Sequence, residues 1–437
     1  MALRYDQLPA SLYVHNRAQF TGAMQRGGLA LFASNDIFPT SADGTMPFKQ
    51  STNILHLSGV DQEESVLLIF PDAHSEMDRE ILFVLETNAQ IAVWEGAKLT
   101  KEQAREQTGI RNVQWVSQFE KTVQRLVTEC ESAYLHSNEH TRANLQAETR
   151  EVRLNNWFTG EYPHVRVERS APIMHRIRSV KSQPEIDQMQ RACDITKAGF
   201  ERVLKFVKPG VTEYEIEAEF LHEFVRRGSR GFAYTPIIGS GYNACVLHYI
   251  ENSQPCKDGE VILMDVGAEY GNYAADMTRC IPVGGQFSAR QRQVYDAVLS
   301  VMRDAMALLR PGVSLHDYHR TVGGLMTEQL LKLGLIDRHE VEKQDPAWPA
   351  YKKYFMHGTS HFIGLDVHDL GLWHEPIQAG HVFTVEPGIY IPEENLGIRL
   401  ENNIVIQENG FLDLTGDIPL EAEAIEEAMN TAATAVK

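Results

Sequence analysis

The chain contains little cysteine, and this shortage excludes two kinds of site. It has 437 residues, of which five are cysteines, and no two of these form a CxxC pair. An odd number of scattered cysteines gives neither a disulfide framework nor a zinc–thiolate centre. The sequence therefore predicts a protein of a reducing compartment, the cytoplasm.

Positive charge and long apolar runs are also scarce. There are 41 Lys+Arg against 59 Asp+Glu, which gives a formal net charge of -18. This charge repels phosphate backbones and anionic lipid surfaces, so we expect no nucleic-acid partner and no membrane partner. No window approaches 18 apolar residues, so no transmembrane helix is expected. The first residues include Asp6 and no continuous apolar segment, so they do not resemble a signal peptide.

Several catalytic and nucleotide-binding motifs are missing as well. No GxGxxG and no GxxxxGK[ST] follows the apolar runs of the first half, which leaves dinucleotide and P-loop binding without support. Gly239-Ser240-Gly241 is not the GxSxG of a serine hydrolase, and no cysteine is flanked as a nucleophile would be. Carboxylates and histidines remain as the candidate residues of a functional site.

The chain divides into two regions with different hydrophobic patterns. Short apolar runs at 28–34, 65–70 and 81–85 alternate with longer segments, which is typical of an α/β domain. A basic, polar stretch at 168–182 is interpreted as an interdomain linker. The predicted domains are therefore 1–175, an N-terminal α/β domain, and 176–437.

The second region repeats itself. KPGVT at 208–212 recurs as RPGVS at 310–314, and DGEVILMDVG at 258–267 matches AGHVFTVEPG at 379–388. In this alignment Asp265 falls on Glu386. Chance similarity of PG turns and glycine-bounded strands is the alternative. Duplication predicts two half-domains across a pseudo-two-fold axis, with any site between them receiving ligands from both.

Four acidic residues stand at equivalent places in the two repeats. Asp265 lies in an almost wholly apolar strand and Asp276 follows 11 residues later, while Glu386 ends a strand and Glu401 follows 15 residues later. An ionised carboxylate in an apolar strand is costly unless it is paired or binds a metal. A single such residue is more often a turn acid, but four in matched hairpins favour a metal site.

Histidines of one glycine-bounded stretch supply a neutral ligand. His357 and His361 are four residues apart and His368 follows, but Gly358 stands where an HExxH zinc motif needs glutamate. Four carboxylates and one imidazole suit two divalent ions bridged by carboxylates. Oxygen-rich ligation favours manganese, with cobalt, iron or zinc as alternatives. A water bridging such ions is acidic enough to act as hydroxide near neutral pH, which indicates a hydrolase.

At these residues the sequence resembles the pita-bread metallopeptidases, which include methionine aminopeptidase, prolidase and aminopeptidase P. The resemblance covers Ser182 to about Ile406. It implies an α/β (α+β) fold: an N-terminal creatinase/prolidase-like domain, then a pseudo-two-fold pita-bread domain with a curved antiparallel sheet. It also implies five metal ligands, with Asp276 and Glu401 bridging the ions and Glu386 also moving a proton: Asp265, Asp276, His361, Glu386 and Glu401.

Within the family, residues 355–369 (FMHGTSHFIGLDVHD) look most like bacterial aminopeptidase P. The resemblance implies an Xaa-Pro aminopeptidase that hydrolyses the bond between an N-terminal residue and proline, with a metal-bridging hydroxide as nucleophile. A prolidase acting on dipeptides and an inactive peptide-binding module remain alternatives. One departure from the family's sequence pattern is Asn402, which follows Glu401 at a position where the family commonly has aspartate.

The resemblance also assigns substrate contacts. His248, His357 and His368 are implied to line the proline pocket, with His357 and His368 taking part in catalysis. Arg399 is implied to hold the proline side of the substrate, the alternative being a structural ion pair with a neighbouring carboxylate. Trp94 resembles a tryptophan that is lent to a neighbouring subunit, the alternative being a core tryptophan. We therefore expect a homo-oligomer, a dimer or tetramer, built through the N-terminal domain, which also shapes the site.

Overall fold

The computed structural model describes residues 4–144 and 146–434. They form two compact units: the first is Gln7–Arg178, and the second joins Arg4–Asp6 to the chain from Ser179 onward. Residues 1–3, part of the stretch predicted not to be a signal peptide, lie outside the described residues. Within the described ranges, no helix combines the length and the apolar character needed to cross a membrane.

The first unit is built on one mixed sheet of six strands in the order β4-β3-β2-β1-β5-β6. Strand β1 pairs antiparallel with β2 and parallel with β5. The three apolar runs predicted as strands become β1, β2 and β3, which confirms the α/β prediction. The elements are α1 Ala10–Ala23, β1 Gly28–Ala33, α2 Thr52–Ser58, β2 Val66–Ile69, β3 Glu80–Val84, α3 Ala89–Glu95, α4 Lys101–Thr108, β4 Asn112–Trp115, α5 Phe119–Leu126, β5 Ser132–Leu135, α6 Arg150–Glu161, β6 Arg166–Arg169 and α7 Ala171–Ser179.

The predicted linker at 168–182 is wrong. Most of this stretch belongs to strand β6 and helix α7. Its polar composition was misleading because the helix buries one face, with Met174 fully buried, and leaves Arg176 exposed. Arg178 is itself buried, and its Nη1 donates to Thr52 Oγ1 at 2.8 Å and to Asn53 Oδ1 at 2.7 Å. These contacts attach the helix to the first unit.

The second unit combines helices with several small antiparallel sheets. Strands β11-β8-β7 form one three-stranded sheet and β12-β15-β16 another, while β9 pairs with β10 and β13 with β14. The elements are α8 Gln183–Phe206, α9 Glu213–Arg226, β7 Ile237–Ser240, β8 Val261–Val266, β9 Glu269–Tyr270, β10 Tyr273–Ala274, β11 Met277–Pro282, α10 Ala289–Leu308, α11 Leu315–Lys332, α12 Arg338–Glu342, β12 Val382–Val385, β13 Gly388–Ile391, β14 Leu396–Arg399, β15 Asn402–Ile406, β16 Phe411–Asp413 and α13 Ala422–Thr434.

The local sequence determines where the first two of these helices begin. Glu185 Oε2 accepts the backbone N–H of Ser182 at 2.8 Å, and Glu215 Oε2 accepts that of Thr212 at the same distance. Each glutamate satisfies a backbone donor that a helix start leaves unpaired. Gly210, with φ at 95°, supplies the turn between α8 and α9.

The two repeats of the sequence use the same hydrogen bonds. Gly210 N–H donates to the carbonyl of Cys256 at 2.9 Å, and Gly312 N–H donates to that of Ile377 at 2.8 Å. Both glycines have positive φ, 95° and 85°, a conformation that disfavours other residues. This match at both PG turns supports the predicted duplication.

The four acidic residues occupy matched places in the two halves. Asp265 is near the end of β8 and Asp276 immediately precedes β11, its antiparallel partner. Glu386 immediately follows β12 and Glu401 immediately precedes β15, which pairs with β12 in the same way. Because the end of one strand lies beside the start of its antiparallel partner, each pair of acids lies together at one end of its ladder.

Candidate metal centre

Three of the five predicted metal ligands form a close group in the second unit. Asp276, His361 and Glu401 each have one ligand atom within 4.8 Å of those of the other two. All three side chains are buried, Glu401 to 1% relative exposure. Two carboxylates and an imidazole gathered in the interior are a typical set of metal donors.

His361 presents one ring nitrogen to this group. Its Nδ1 lies 2.9 Å from the carbonyl oxygen of Phe362, so Nδ1 carries the proton and donates. The other ring nitrogen, Nε2, lies 3.5 Å from Asp276 Oδ2 and 3.5 Å from Glu386 Oε1. A backbone carbonyl that fixes the tautomer in this way is the usual partner of a metal-binding histidine. Burial opposes the charging of His361, but the neighbouring Asp276 and Glu386 outweigh it and raise its pKa.

The backbone around His361 is attached to strand β12. The carbonyl of His361 accepts the N–H of Thr384 at 3.0 Å, and the hydroxyl of Thr384 accepts the N–H of His361 at 3.2 Å. The N–H of Glu386 donates to the carbonyl of Thr359 at 2.8 Å. These bonds explain why Glu386 and His361, 25 residues apart in the sequence, face each other.

Glu401 and Asp276 are held by groups of the opposite strand. Thr278 Oγ1 donates to Glu401 Oε2 at 2.7 Å, and the carbonyl of Thr278 accepts the N–H of Glu401 at 3.1 Å. The side chain of Asn403 accepts the N–H of Asp276 at 2.9 Å and donates to its carbonyl at 2.6 Å. The backbone of each acid is thus bonded to the ladder of the other half.

Asp265 lies beside this group and is held by two polar side chains. Its Oδ2 accepts from Arg399 Nη2 at 2.6 Å, and its Oδ1 lies 2.5 Å from the hydroxyl of Tyr234. The same hydroxyl is 2.6 Å from Asp276 Oδ1, so Tyr234 connects the two aspartates. The alternative considered for Arg399, an ion pair with a neighbouring carboxylate, is thus present in the structure.

Three of the carboxyl groups are more basic than isolated ones. Burial raises the pKa of Asp265 to about 6, although Arg399 counteracts it. Burial likewise raises the pKa of Glu386 to about 7, against the attraction of His361. The pKa of Glu401 is raised well above its ordinary value, first by burial and then by repulsion from Asp276 and Glu386. An anionic site of this kind is stabilised by cations, so the donor set fits divalent metal ions.

His357 belongs to a hydrogen-bonded chain at the edge of the group. Its Nδ1 lies 2.8 Å from the carbonyl of Gly358, and its Nε2 lies 2.7 Å from the hydroxyl of Tyr390. Arg399 Nη1 donates to that hydroxyl at 2.8 Å. Since a carbonyl only accepts, Nδ1 carries the proton, and Nε2 accepts from Tyr390. Nδ1 is also 3.7 Å from Glu386 Oε2. The substrate-contacting role of His357 stays a prediction.

Three other predicted contacts lie on the surface. The exposed ring of His368 is 4.5 Å, centroid to centroid, from that of His361, in an edge-to-face arrangement. His248 is exposed in the segment between β7 and β8. Trp94 is on α3 of the first unit and is 87% exposed, so the alternative of a core tryptophan is excluded. The roles of these residues stay predictions.

Several residues that contact the predicted site residues were not foreseen from the sequence, among them Thr278, Tyr390 and Tyr234. Thr278 could have been found, because it stands two residues beyond Asp276 and alternate residues of an extended segment share a face. Tyr390 lies in β13, four residues beyond Glu386. Tyr234 lies in an irregular segment 31 residues before Asp265, and no periodic signal connects them.

Comparison with known proteins agrees with this geometry. Residues 187–408 match metallopeptidase family M24, and residues 13–136 match the N-terminal domain of aminopeptidase P. The chain belongs to metallopeptidase family M24. It is 33% identical over 435 residues to the Xaa-Pro aminopeptidase of Escherichia coli, covering 95% of this chain and 97% of the relative.

Two solved structures of one relative match nearly the whole chain. Zinc-substituted Escherichia coli aminopeptidase P in complex with product gives a TM-score of 0.88 at 31% identity, covering 98% of this chain and 99% of that one. The Escherichia coli enzyme with the inhibitor Pro-Leu gives a TM-score of 0.87 at 32% identity, covering 98% of this chain and 100% of that one. The predicted fold class and the predicted metallo-aminopeptidase activity are therefore confirmed.

Proposed function

We propose that this M24 enzyme removes the N-terminal residue from peptides with proline at the second position, using two divalent metal ions. The observation that carries the proposal is the buried group of Asp276, His361 and Glu401, with Glu386 3.5 Å from His361, in a chain that aligns end to end with an Xaa-Pro aminopeptidase. A relative of equal length and this specificity favours an aminopeptidase over a prolidase.

The proposed ligands are the five side chains predicted from the sequence. Asp276 and Glu401 would be shared by both ions, while Asp265, His361 and Glu386 would each bind one. Four carboxylates balance the four positive charges of two divalent ions, and the oxygen-rich set favours manganese, with cobalt, iron or zinc as alternatives. When bound, such a pair acts as a Lewis acid and lowers the pKa of a coordinated water towards neutrality.

Glu386 is the proposed proton carrier. Hydrolysis of any amide requires the departing nitrogen to gain a proton, and in a bond before proline this nitrogen carries no hydrogen of its own. The Glu386 carboxylate can take a proton from the attacking water and pass it to that nitrogen, which is the role of a general acid–base group. Its Oε1 faces His361 and its Oε2 faces His357, so the proton is held at a site bordered by two rings.

Selection of proline is proposed to depend on the surface histidines. His368 lies against His361 and can hydrogen-bond the carbonyl of the scissile bond. His248 is contributed by the other half of the duplicated domain. Arg399 has its guanidinium bonded to Asp265, Tyr390 and Thr278, so we assign it to orienting Asp265 rather than to holding the substrate.

The first unit is proposed to build a homo-oligomer, a dimer or a tetramer. On helix α3 the side chains of Val93 and Trp94 are 80% and 87% exposed, and adjacent exposed apolar side chains are typical of contact surfaces. Trp94 is proposed to contribute to the site of a neighbouring subunit. We propose the cytoplasm as the location, since all five cysteines are free thiols.

Matched peptides test the proposal. The metal-loaded enzyme should release the first residue of Xaa-Pro-Yaa and leave Xaa-Ala-Yaa largely intact, while a chelator should abolish the activity. Equal rates on the two peptides would refute selection of proline. Cleavage of Xaa-Pro dipeptides alone would make the protein a prolidase, and binding without cleavage would make it an inactive peptide-binding module.

A further inference from the structure

A fully buried carboxylate outside the metal centre begins helix α9. Glu213 has a relative exposure of 0% and accepts four hydrogen bonds from uncharged donors. Its Oε1 accepts from the N–H of Ser240 at 2.9 Å and from Asn243 Nδ2 at 3.1 Å. Its Oε2 accepts from the hydroxyl of Tyr249 at 2.7 Å and from the N–H of Gln254 at 2.8 Å. Burial of a charge is costly unless each oxygen is satisfied in this way.

The four donors stand on both sides of His248 in the sequence. Ser240 and Asn243 precede it in the chain, and Tyr249 and Gln254 follow it. Tyr249 is buried to 8% relative exposure, whereas the adjacent His248 is exposed. The hydroxyl of Tyr249 also accepts the N–H of Ser253 at 3.2 Å. One carboxylate therefore ties together the chain on both sides of an exposed histidine.

We propose that Glu213, acting through Tyr249, is a positioning residue for His248. The hydrogen bonds of Glu213 fix the backbone that carries His248, so that its imidazole meets the substrate in one orientation. Loss of this attachment leaves the imidazole chemically intact but misplaced, and small misplacements of a binding group reduce rates strongly. This inference rests on the proposed function, because it requires His248 to contact the substrate.

The other half of the domain holds its exposed histidine in a related manner. His368 is followed by Asp369, whose Oδ2 lies 2.8 Å from Lys181 Nζ. The side chains of Lys181 and Asp369 are only 2% and 1% exposed. In both halves, the residue after an exposed histidine is buried and bonded to an ionisable group far away in the sequence. This parallel supports positioning as the purpose of the Glu213 cluster.

A double-mutant cycle between Tyr249→Phe and His248→Ala tests the proposal. Tyr249→Phe removes one hydroxyl and keeps the ring, so the fold and the metal content should persist. We expect roughly a tenfold loss of kcat/KM on an Xaa-Pro-Yaa peptide. In the His248→Ala background, Tyr249→Phe should change kcat/KM by less than about twofold, because a residue that acts only through His248 has nothing left to position.

The controls separate this inference from general destabilisation and from the proposed function. Glu185 is a matched control, because it is also a buried glutamate at the start of a helix, α8, and is 2% exposed. Glu213→Gln should reduce kcat/KM more than Glu185→Gln does. Equal losses from Tyr249→Phe in both backgrounds would overturn the positioning role while leaving His248 as a contact. Wild-type activity of His248→Ala would overturn both this inference and the proposed contact. Failure to cleave any Xaa-Pro-Yaa peptide would refute the proposed function itself.

Discussion

Arg399 Nη2 lies 2.6 Å from Asp265 Oδ2, and both side chains are largely buried, at 4% and 15% exposure. The same guanidinium donates from Nε to Thr278 Oγ1 at 3.1 Å and from Nη1 to Tyr390 at 2.8 Å. One planar cation therefore orients a carboxylate proposed to bind metal and two hydroxyl groups together. Arginine suits this task because its donors form a rigid fork.

Loss of this cation should destabilise the fold. Arg399→Met leaves Asp265 buried without its partner, and breaking a buried ion pair from one side costs about 3 kcal/mol. Urea denaturation of the metal-free protein at pH 8 measures the loss. Arg290→Met is the matched control, because Arg290 makes a two-pronged but partly exposed pair with Glu394 and should cost less than about 1 kcal/mol. Equal losses in the two variants would contradict the assigned role of Arg399.

The raised pKa values predict how pH affects the metal-free protein. A carboxyl whose pKa is higher in the folded than in the unfolded state binds protons preferentially when folded. Its contribution to stability is fully present at a pH below its unfolded-state pKa. The contribution disappears as the pH rises through its folded-state pKa, about 7 for Glu386 and about 6 for Asp265. Thermal unfolding should show that lowering the pH from 8 to 6 stabilises the metal-free wild type relative to Glu386→Gln. Parallel pH profiles would contradict this.

Glu386→Gln should also impair turnover. Removal of a proton carrier reduces rates roughly 10²–10⁴-fold, and removal of a metal ligand adds to the loss. We therefore expect kcat on an Xaa-Pro-Yaa peptide to fall by at least about 10²-fold at saturating metal, with circular dichroism unchanged. Near-normal turnover in a pure, metal-loaded sample would exclude Glu386 from both roles.

Replacing His361 and replacing His368 should have different effects on the metal content. His361→Ala should lose at least one ion, because its Nε2 faces Asp276 and Glu386. His368→Ala should keep both ions and lose roughly 10²–10³-fold in kcat/KM, the usual effect of removing a positioned donor. Elemental analysis beside steady-state kinetics checks both. The reverse pattern would show that the two roles are exchanged.

The four acids of the proposed ligand set could be selected from the sequence because they stand at strand ends. Asp265 and Glu386 interrupt apolar strands, and antiparallel pairing brings Asp276 and Glu401 beside them. His361 could be distinguished from His357 and His368 only by family resemblance, since spacing alone leaves them equivalent. In the structure, Nε2 of His361 faces Asp276 and Glu386, whereas Nε2 of His357 faces the hydroxyl of Tyr390.

Other features depend on contacts that no local pattern encodes. Tyr234 reaches Asp265 and Asp276 from an irregular segment. Arg399 is directed at Asp265 by the packing of β14 against the neighbouring sheet rather than by its own sequence context. The first unit was predicted to end near residue 175, in a linker, because polar composition conceals the buried face of α7 and the contacts of Arg178.

The number of metal ions per chain tests the central claim most directly. Protein stripped with a chelator and titrated with manganese should bind two ions per chain, and aminopeptidase activity should reach its maximum only as the second site fills. Saturation at one ion per chain with full activity would contradict the paired-ion centre assigned to Asp265, Asp276, His361, Glu386 and Glu401.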